Sequence, residues 1–142
     1  MDDLDSIYTD VIMEHSTATY NKHKLQDATN SEHGHNPSCG DDITLEIKKD
    51  GDTITDLAFT GHGCAISQAS TSIMIDLLKG KKVEQATKLI SIFIRMIKRE
   101  NVSEEELNEL EEAQALKNIS NMPARVKCAE LAWYTMQKLL EK

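Results

Sequence analysis

A cysteine and an aspartate stand two positions apart in residues 36–41, in a segment that also holds a proline and a glycine. The Asn-Pro dipeptide at its start favours a turn, and Gly40 allows the backbone to bend between the two side chains. Because residues i and i+2 of an extended strand lie on the same face, Cys39 and Asp41 can point towards one centre. Thiolate and carboxylate are both zinc ligands, so the segment predicts half of a tetrahedral metal site. The other ligands must come from elsewhere in the chain.

The second cysteine, Cys64, stands just before an apolar stripe of helical spacing. The stripe consists of Ile66, Ala69, Ile73, Leu77 and Leu78. Gly80 follows it as a typical helix terminator. We therefore expect Cys64 at or near the N-terminus of a helix, where the helix dipole favours a thiolate. Gly61 and Gly63 permit a close backbone approach, and His62 between them is a weaker candidate for a ligand or for a residue that supports one.

Between these cysteines the sequence predicts a β-hairpin. Residues 43–48 alternate apolar and polar, which is typical of a half-buried strand, and residues 50–52 have the composition of a turn. In the returning strand, strict alternation would place Ile54 on the face opposite Leu57 and Phe59, so we expect a bulge or a bend. The hairpin begins just after Cys39 and ends just before Cys64, and it can therefore bring the two thiols together.

The other segments predict helices and one long loop. Helices are expected over residues 3–19, with an apolar stripe that includes Leu4 and Ile7, and over residues 83–99. A capping box at residues 103–106 opens a shorter helix that extends through Leu116. The last helix begins at Pro123, with Asn121 as a candidate cap. Its buried face is expected to comprise Met122, Ala129, Leu131, Ala132, Trp133, Met136, Leu139 and Leu140.

Four histidines outside the cysteine segments are interpreted as solvated or core residues and not as ligands. Residues 20–38 lack periodicity and are interpreted as a long loop. Its histidines, His23, His33 and His35, are interpreted as solvated side chains and not as a metal cluster. His15 lies on the apolar stripe of the first helix, which favours a half-buried core residue over a ligand.

Composition narrows the class of protein. Three cysteines are an odd number and are dispersed, unlike the framework of a secreted disulfide scaffold; the plain alternative is three small buried hydrophobic residues. A net charge of −8 disfavours nucleic acid and anionic membranes as partners. No apolar run reaches the roughly 20 residues of a membrane span, and the acidic N-terminus is unlike a signal peptide. We therefore expect a single cytoplasmic domain over residues 1–142.

Taken together, Cys39-Gly40-Asp41, Gly63-Cys64 and residues 123–128 resemble the iron–sulfur cluster assembly family of IscU and the N-terminal part of NifU. The similarity covers nearly the whole chain. Within the family the chain looks closest to the zinc-containing SufU branch. Lys127 stands where IscU proteins have a histidine, immediately before the third cysteine, Cys128. The separation of 128 − 64 = 64 residues between the second and third cysteines is also longer than in IscU.

The resemblance implies an α+β fold of the SufE/NifU type, with a small antiparallel sheet of about three strands and helices packed on one face. It also implies zinc ligands, namely Cys39, Asp41, Cys64 and Cys128. The implied function is that of a zinc-dependent sulfur acceptor in iron–sulfur cluster assembly. Cys39 would take persulfide sulfur from a SufS-type cysteine desulfurase, and Arg125 is a candidate contact with that partner. Downstream Suf scaffold proteins are further candidate partners.

Two other interpretations stay open. In the first, the same residues hold an iron–sulfur cluster, and the protein is an IscU-like scaffold on which clusters are assembled. In the second, zinc is purely structural in an adaptor that activates the desulfurase. The sequence leaves open whether the protein counts as an enzyme of the sulfurtransferase type, its oligomeric state, the final sulfur recipient, and the roles of His23, His33, His35 and His62.

Overall fold

The computed structural model describes residues 3–142, with side chains from residue 8 onward, so the predicted stripe positions Leu4 and Ile7 lie outside the described side chains. The three strands form one antiparallel sheet in the order β1-β2-β3. None of the helices described is long and apolar enough to cross a membrane. In chain order the elements are α1 (Asp3–Thr17), β1 (Asn30–Asn36), β2 (Asp41–Asp50), β3 (Thr53–His62), α2 (Ala65–Leu78), α3 (Val83–Ile97), α4 (Glu104–Glu109), a 3-10 helix (Glu111–Asn121) and α5 (Pro123–Leu140).

Side chains along strand β2 alternate between the two faces of the sheet. Its apolar residues Ile43, Leu45 and Ile47 are fully buried, whereas the polar residues between them are half-buried. Helices α2 and α5 contact the strands, and their buried side chains join those of the sheet in one core. The alternation thus buries one face against helices, as binary patterning requires. The expected α+β fold, with a three-stranded antiparallel sheet, is confirmed.

A β-bulge in strand β3 changes the face of the sheet on which its first residues lie. Lys48 pairs with Asp56 and Lys49 pairs with Ile54, so Thr55 is an extra residue on β3. The insertion returns Ile54 to the buried side, and its side chain is 0% exposed, like that of Leu57. The expected bulge is therefore present, and it puts Ile54 on the same face as Leu57.

Strand β1 lies within residues 20–38, so the prediction of one long loop there is wrong. The strand pairs with β2 along its whole length. Its inward positions include Gly34 and Asn36, which are buried but not apolar. A Cβ atom added to Gly34 would lie 2.1 Å from Oγ1 of Thr135, because helix α5 packs directly on the strand backbone. Because a glycine stands at an inward position where strands usually have an apolar side chain, the sequence pattern does not indicate a strand here.

The acidic segment after α3 begins as predicted and ends differently. Ser103 and Glu106 form the capping box: the Ser103 hydroxyl accepts from the Glu106 N–H, and the Glu106 carboxylate accepts from the Ser103 N–H. Helix α4 ends at Glu109, however, and the chain continues as a 3-10 helix that buries Leu116. The expected single helix through Leu116 is thus wrong in its second half.

Helix α5 begins at Pro123, as predicted, but Met122 occupies the cap position without a side-chain cap bond. Asn121 is therefore not the cap, and Met122 is 47% exposed, not buried. Trp133 is fully buried, as predicted, and stacks on Phe93 with ring centroids 3.8 Å apart. This packing fixes the helix that carries the third cysteine.

Candidate metal centre

Three parts of the chain bring the predicted ligands to one end of the sheet. Cys39 lies in the turn between β1 and β2, and Asp41 is the first residue of β2. Cys64 is the N-cap of α2, directly after β3, and Cys128 lies in the second turn of α5. Since β2 starts where the antiparallel β3 ends, the turn and the helix N-terminus meet at the same edge.

Three of these side chains converge on one point. The Sγ atoms of Cys39 and Cys128 and a carboxylate oxygen of Asp41 all lie within 4.8 Å of one another. The Cys128 thiol donates to Cys39 Sγ at 2.6 Å, and all three cysteines of the chain are free. Cys128 and Asp41 are fully buried, whereas Cys39 is half-buried. The arrangement can hold a metal ion.

Cys64, the fourth predicted ligand, lies beside this three-residue group. Its backbone N–H donates to Oδ1 of Asp41 at 2.9 Å, and its side chain contributes to the raised pKa of the Cys128 thiol. As the N-cap, Cys64 accepts from the backbone N–H of Ser67 through Sγ at 3.5 Å. The predicted position at a helix N-terminus is confirmed, and there the helix dipole favours a thiolate.

Asp41 supplies a direct test of whether a cation fits here. Its Oδ2 atom is buried and has no hydrogen-bond partner in the described part of the chain. A Cβ atom added to Gly63 would lie 2.5 Å from Oδ1 of Asp41, so the glycine makes room for the carboxylate. A buried carboxylate oxygen without a partner is costly, and a metal ion would satisfy it. Two thiols and this carboxylate, with Cys64 adjacent, match the donor types of a zinc centre.

The electrostatics of the metal-free centre keep the Cys128 thiol protonated. Burial, and then the hydrogen bonds with Cys39 and Cys64, raise the pKa of the Cys128 thiol above its ordinary value. The negative charge of Asp41 acts in the same direction. A bound cation would have the opposite effect on this thiol, because metal coordination deprotonates a thiol outright.

Arg125 brings a positively charged side chain to the cysteine centre. The interaction of its guanidinium with Cys128, followed by the charge of Cys64, raises the pKa of Arg125. From the sequence, Arg125 was only a candidate contact with the partner. The contact with Cys128 follows from i, i+3 spacing on one helix, a signal that sequence reasoning missed.

The loop and strand histidines are exposed and are not members of the ligand group of Cys39, Asp41 and Cys128. His33 Nε2 is 2.8 Å from Oδ1 of Asp42, and this contact is the main cause of the lowered pKa of Asp42. His35 and His62 pair with Asp42 on either side in the sheet. All three imidazoles are exposed, and His23 is also exposed. His62 does not belong to the group of side chains around Cys39.

Comparisons with known proteins identify the family. The family model of the NifU-like N-terminal domain matches residues 7–142. The chain therefore belongs to the NifU-like N-terminal domain family, as the three cysteine segments indicated.

Among individual proteins, the chain is similar to the zinc-dependent sulfurtransferase SufU of Bacillus subtilis, with 40% identity over 139 residues that cover 98% of this chain and 92% of SufU. It is similar to the iron–sulfur cluster assembly scaffold protein IscU of Thermotoga maritima, with 40% identity over 136 residues that cover 96% and 94% of the two chains. A crystal structure of a SUF-system scaffold protein from Fervidobacterium islandicum AW-1 matches with a TM-score of 0.88 and 38% identity, covering 95% of this chain and 97% of that chain.

Proposed function

We propose that this protein is a zinc-dependent sulfur acceptor in iron–sulfur cluster assembly, which takes persulfide sulfur from a SufS-type cysteine desulfurase onto Cys39. The observation that carries the proposal is the convergence of Cys39, Cys128 and the unpartnered carboxylate of Asp41 within 4.8 Å. Similarity to the zinc-dependent sulfurtransferase SufU over 98% of the chain supports it.

The resident metal in this proposal is zinc, held by Cys39, Asp41, Cys64 and Cys128. Zinc would keep the sulfur atoms as thiolates at neutral pH and limit their side reactions. Two of these ligands are held in position by the fold. Asp41 is oriented by the Cys64 N–H, and Cys128 is a buried residue of helix α5. Arg125 adds a positive charge at the outer side of the thiols.

Cys39 is the thiol best placed to accept sulfur. Cys128 is fully buried, and the sulfur of Cys64 is engaged by the first turn of α2 through Ser67. Cys39 instead lies in the β1–β2 turn and is half-buried, so its sulfur can be approached from solvent. A turn residue can also move without disturbing a helix or a strand.

The transfer is a thiolate attack on a persulfide. The Cys39 thiolate attacks the terminal sulfur of the persulfide on the desulfurase cysteine. A bond forms between Cys39 Sγ and that sulfur, the bond to the desulfurase cysteine breaks, and the electron pair leaves with the desulfurase thiolate. The persulfide is only relocated, so no external oxidant or reductant is consumed. Arg125 would attract the anionic persulfide and contact the partner.

A scaffold function is the main alternative. Iron–sulfur clusters are held by thiolates, and the three cysteines with Asp41 offer such a set. The scaffold protein IscU of Thermotoga maritima is as similar to this chain as SufU is. An adaptor with structural zinc is the second alternative, because four protein ligands normally close a zinc site.

The deciding experiment incubates the zinc-loaded protein with its cognate cysteine desulfurase and free cysteine, and then locates added sulfur by peptide mass spectrometry. We expect one extra sulfur on Cys39 and faster desulfurase turnover without iron. Cys39→Ala should abolish both, while circular dichroism verifies that the variant is folded. Uptake of iron and sulfide together, with no sulfur on any cysteine, would instead establish the scaffold. Undiminished stimulation by Cys39→Ala would establish the adaptor.

A further inference from the structure

A second group of ligand-type side chains lies where α1, α2 and the 3-10 helix meet. Ligand atoms of His15, Asp76 and Glu112 all lie within 4.8 Å of one another. His15 is only 4% exposed, whereas the two carboxylates reach the surface. Its burial agrees with the core position predicted from the sequence. The group forms only when the chain folds, because its members come from three separate elements.

The imidazole of His15 is oriented as that of a metal ligand. Its Nδ1 atom is 2.8 Å from Oγ of Ser72 and 3.3 Å from the hydroxyl of Tyr20. Its Nε2 atom faces Oδ2 of Asp76 at 3.7 Å. Metal-bound histidines typically engage their other ring nitrogen in such a hydrogen bond. Neighbouring ligand atoms of an ion with bonds of about 2.1 Å are about 3.0 to 3.4 Å apart, so small adjustments suffice to close the shell.

The carboxylate of Asp76 is held in place from both sides. Tyr20 donates to Oδ2 at 2.8 Å, and Asn21 donates to Oδ1 at 2.9 Å. Burial, and then the hydrogen bond with Asp76, raise the pKa of Tyr20 to about 12, so the phenol is a donor at neutral pH. Each carboxylate oxygen keeps a further lone pair for a cation.

The negative charge of the two carboxylates favours binding of a cation. Among the ion pairs of the described residues, neither Asp76 nor Glu112 has a lysine or arginine partner. A cavity of about 70 Å³ lies between them, and Glu111 also lines it. Ile73, Leu77 and Ala113 complete its lining. Since one water takes up about 30 Å³ in the liquid, the cavity has room for a water ligand of an ion held at the carboxylates.

We propose that His15, Asp76 and Glu112 form a second metal site, for a divalent cation of the Mn²⁺ or Fe²⁺ type whose shell is completed by water. One imidazole and two carboxylates are a harder donor set than the thiols of the cysteine centre, and octahedral ions with water ligands prefer such a set. The ion would join α1 and α2 to the 3-10 helix. The site is independent of the chemistry at Cys39.

The test titrates the zinc-loaded protein with Mn²⁺ and follows the electron paramagnetic resonance signal of the free ion. We expect one Mn²⁺ to bind per chain while zinc is retained. Glu112→Gln should weaken Mn²⁺ binding at least tenfold, and Tyr20→Phe should weaken it about tenfold through Asp76. The matched control is Glu105→Gln, which removes the same charge from an exposed position of α4 and should bind as the wild type does.

Thermal unfolding provides a second readout. With free Mn²⁺ at 100 times its Kd, the unfolding midpoint of the wild type should rise by about 5 to 10 °C, and that of Glu112→Gln should rise far less. Absence of Mn²⁺ binding up to millimolar concentration would overturn the proposal. So would displacement of zinc by Mn²⁺, or equal Mn²⁺ affinity in Glu112→Gln and the wild type.

Discussion

The backbone N–H of Cys64 donates a 2.9 Å hydrogen bond to Oδ1 of Asp41. The bond joins the first residue of β2 to the N-cap of α2, and it leaves Oδ2 of Asp41 without a partner. One oxygen of the carboxylate therefore has a structural role, and the other is free for a metal. The two roles can be separated by substitution.

We predict that Asp41→Asn and Asp41→Ala differ in stability but both bind zinc weakly. Asparagine keeps an oxygen that can accept from Cys64, whereas alanine leaves that partly buried N–H without its partner at a cost of about 1 kcal/mol. Both remove the negative charge that would satisfy the metal. Chelator competition measures the zinc affinity, and urea denaturation of the zinc-free proteins measures the stability. Wild-type zinc affinity in either variant would exclude Asp41 as a ligand.

Gly63→Ala should disrupt the centre without touching a ligand. The new Cβ atom would lie 2.5 Å from both Oδ1 of Asp41 and Oγ of Ser67. Relief of this overlap should displace the carboxylate, lower the zinc affinity at least tenfold and cost about 1 to 3 kcal/mol of stability. Zinc competition and denaturation serve again as measurements. Ala65→Ser, an exposed change at the same junction, is the control and should leave both quantities unchanged.

Zinc removal should make stability sensitive to alkaline pH. In the zinc-free folded protein the pKa of Cys128 is above its ordinary value of 9.0, so the folded state retains a proton that the unfolded state loses. The contribution of this proton to the stability of the zinc-free protein is therefore complete well below the ordinary thiol pKa and is lost as the pH rises through and beyond it. Denaturation midpoints between pH 7 and 10 measure the effect.

Cys128→Ser is the control for this pH dependence, because serine does not titrate in that range. Its zinc-free form should lose less stability between pH 8 and 10 than the wild type. A wild-type protein whose zinc-free stability stayed constant up to pH 10 would contradict the prediction.

The sequence signals for the residues of the cysteine centre are local. An apolar stripe and its flanking glycines locate Cys64 at the start of a helix, and the spacing of Cys39 and Asp41 gives them one face. The contact between Arg125 and Cys128 also has a local signal in their spacing. No such signal links His15 to Asp76 and Glu112, which meet only through the packing of three elements.

Strand β1 was missed for a related reason. Sequence reasoning identifies strands by inward apolar side chains, but the inward residues of β1 include Gly34 and Asn36. The pairing of β1 with β2 and the contact of Gly34 with Thr135 decide its conformation. Thr135 lies in the last helix, so the information that makes this segment a strand is distant in sequence.

That contact gives a final prediction. Gly34→Ala should destabilise the protein by about 1 to 3 kcal/mol, because the new Cβ atom would lie 2.1 Å from Oγ1 of Thr135. Thr135→Ala removes this atom, and the double variant should therefore lose less stability than the sum of the single losses. A double-mutant cycle by urea denaturation measures the coupling, which should reach at least about 0.5 kcal/mol for residues in contact. Strictly additive losses would show that α5 does not pack on β1 at this position.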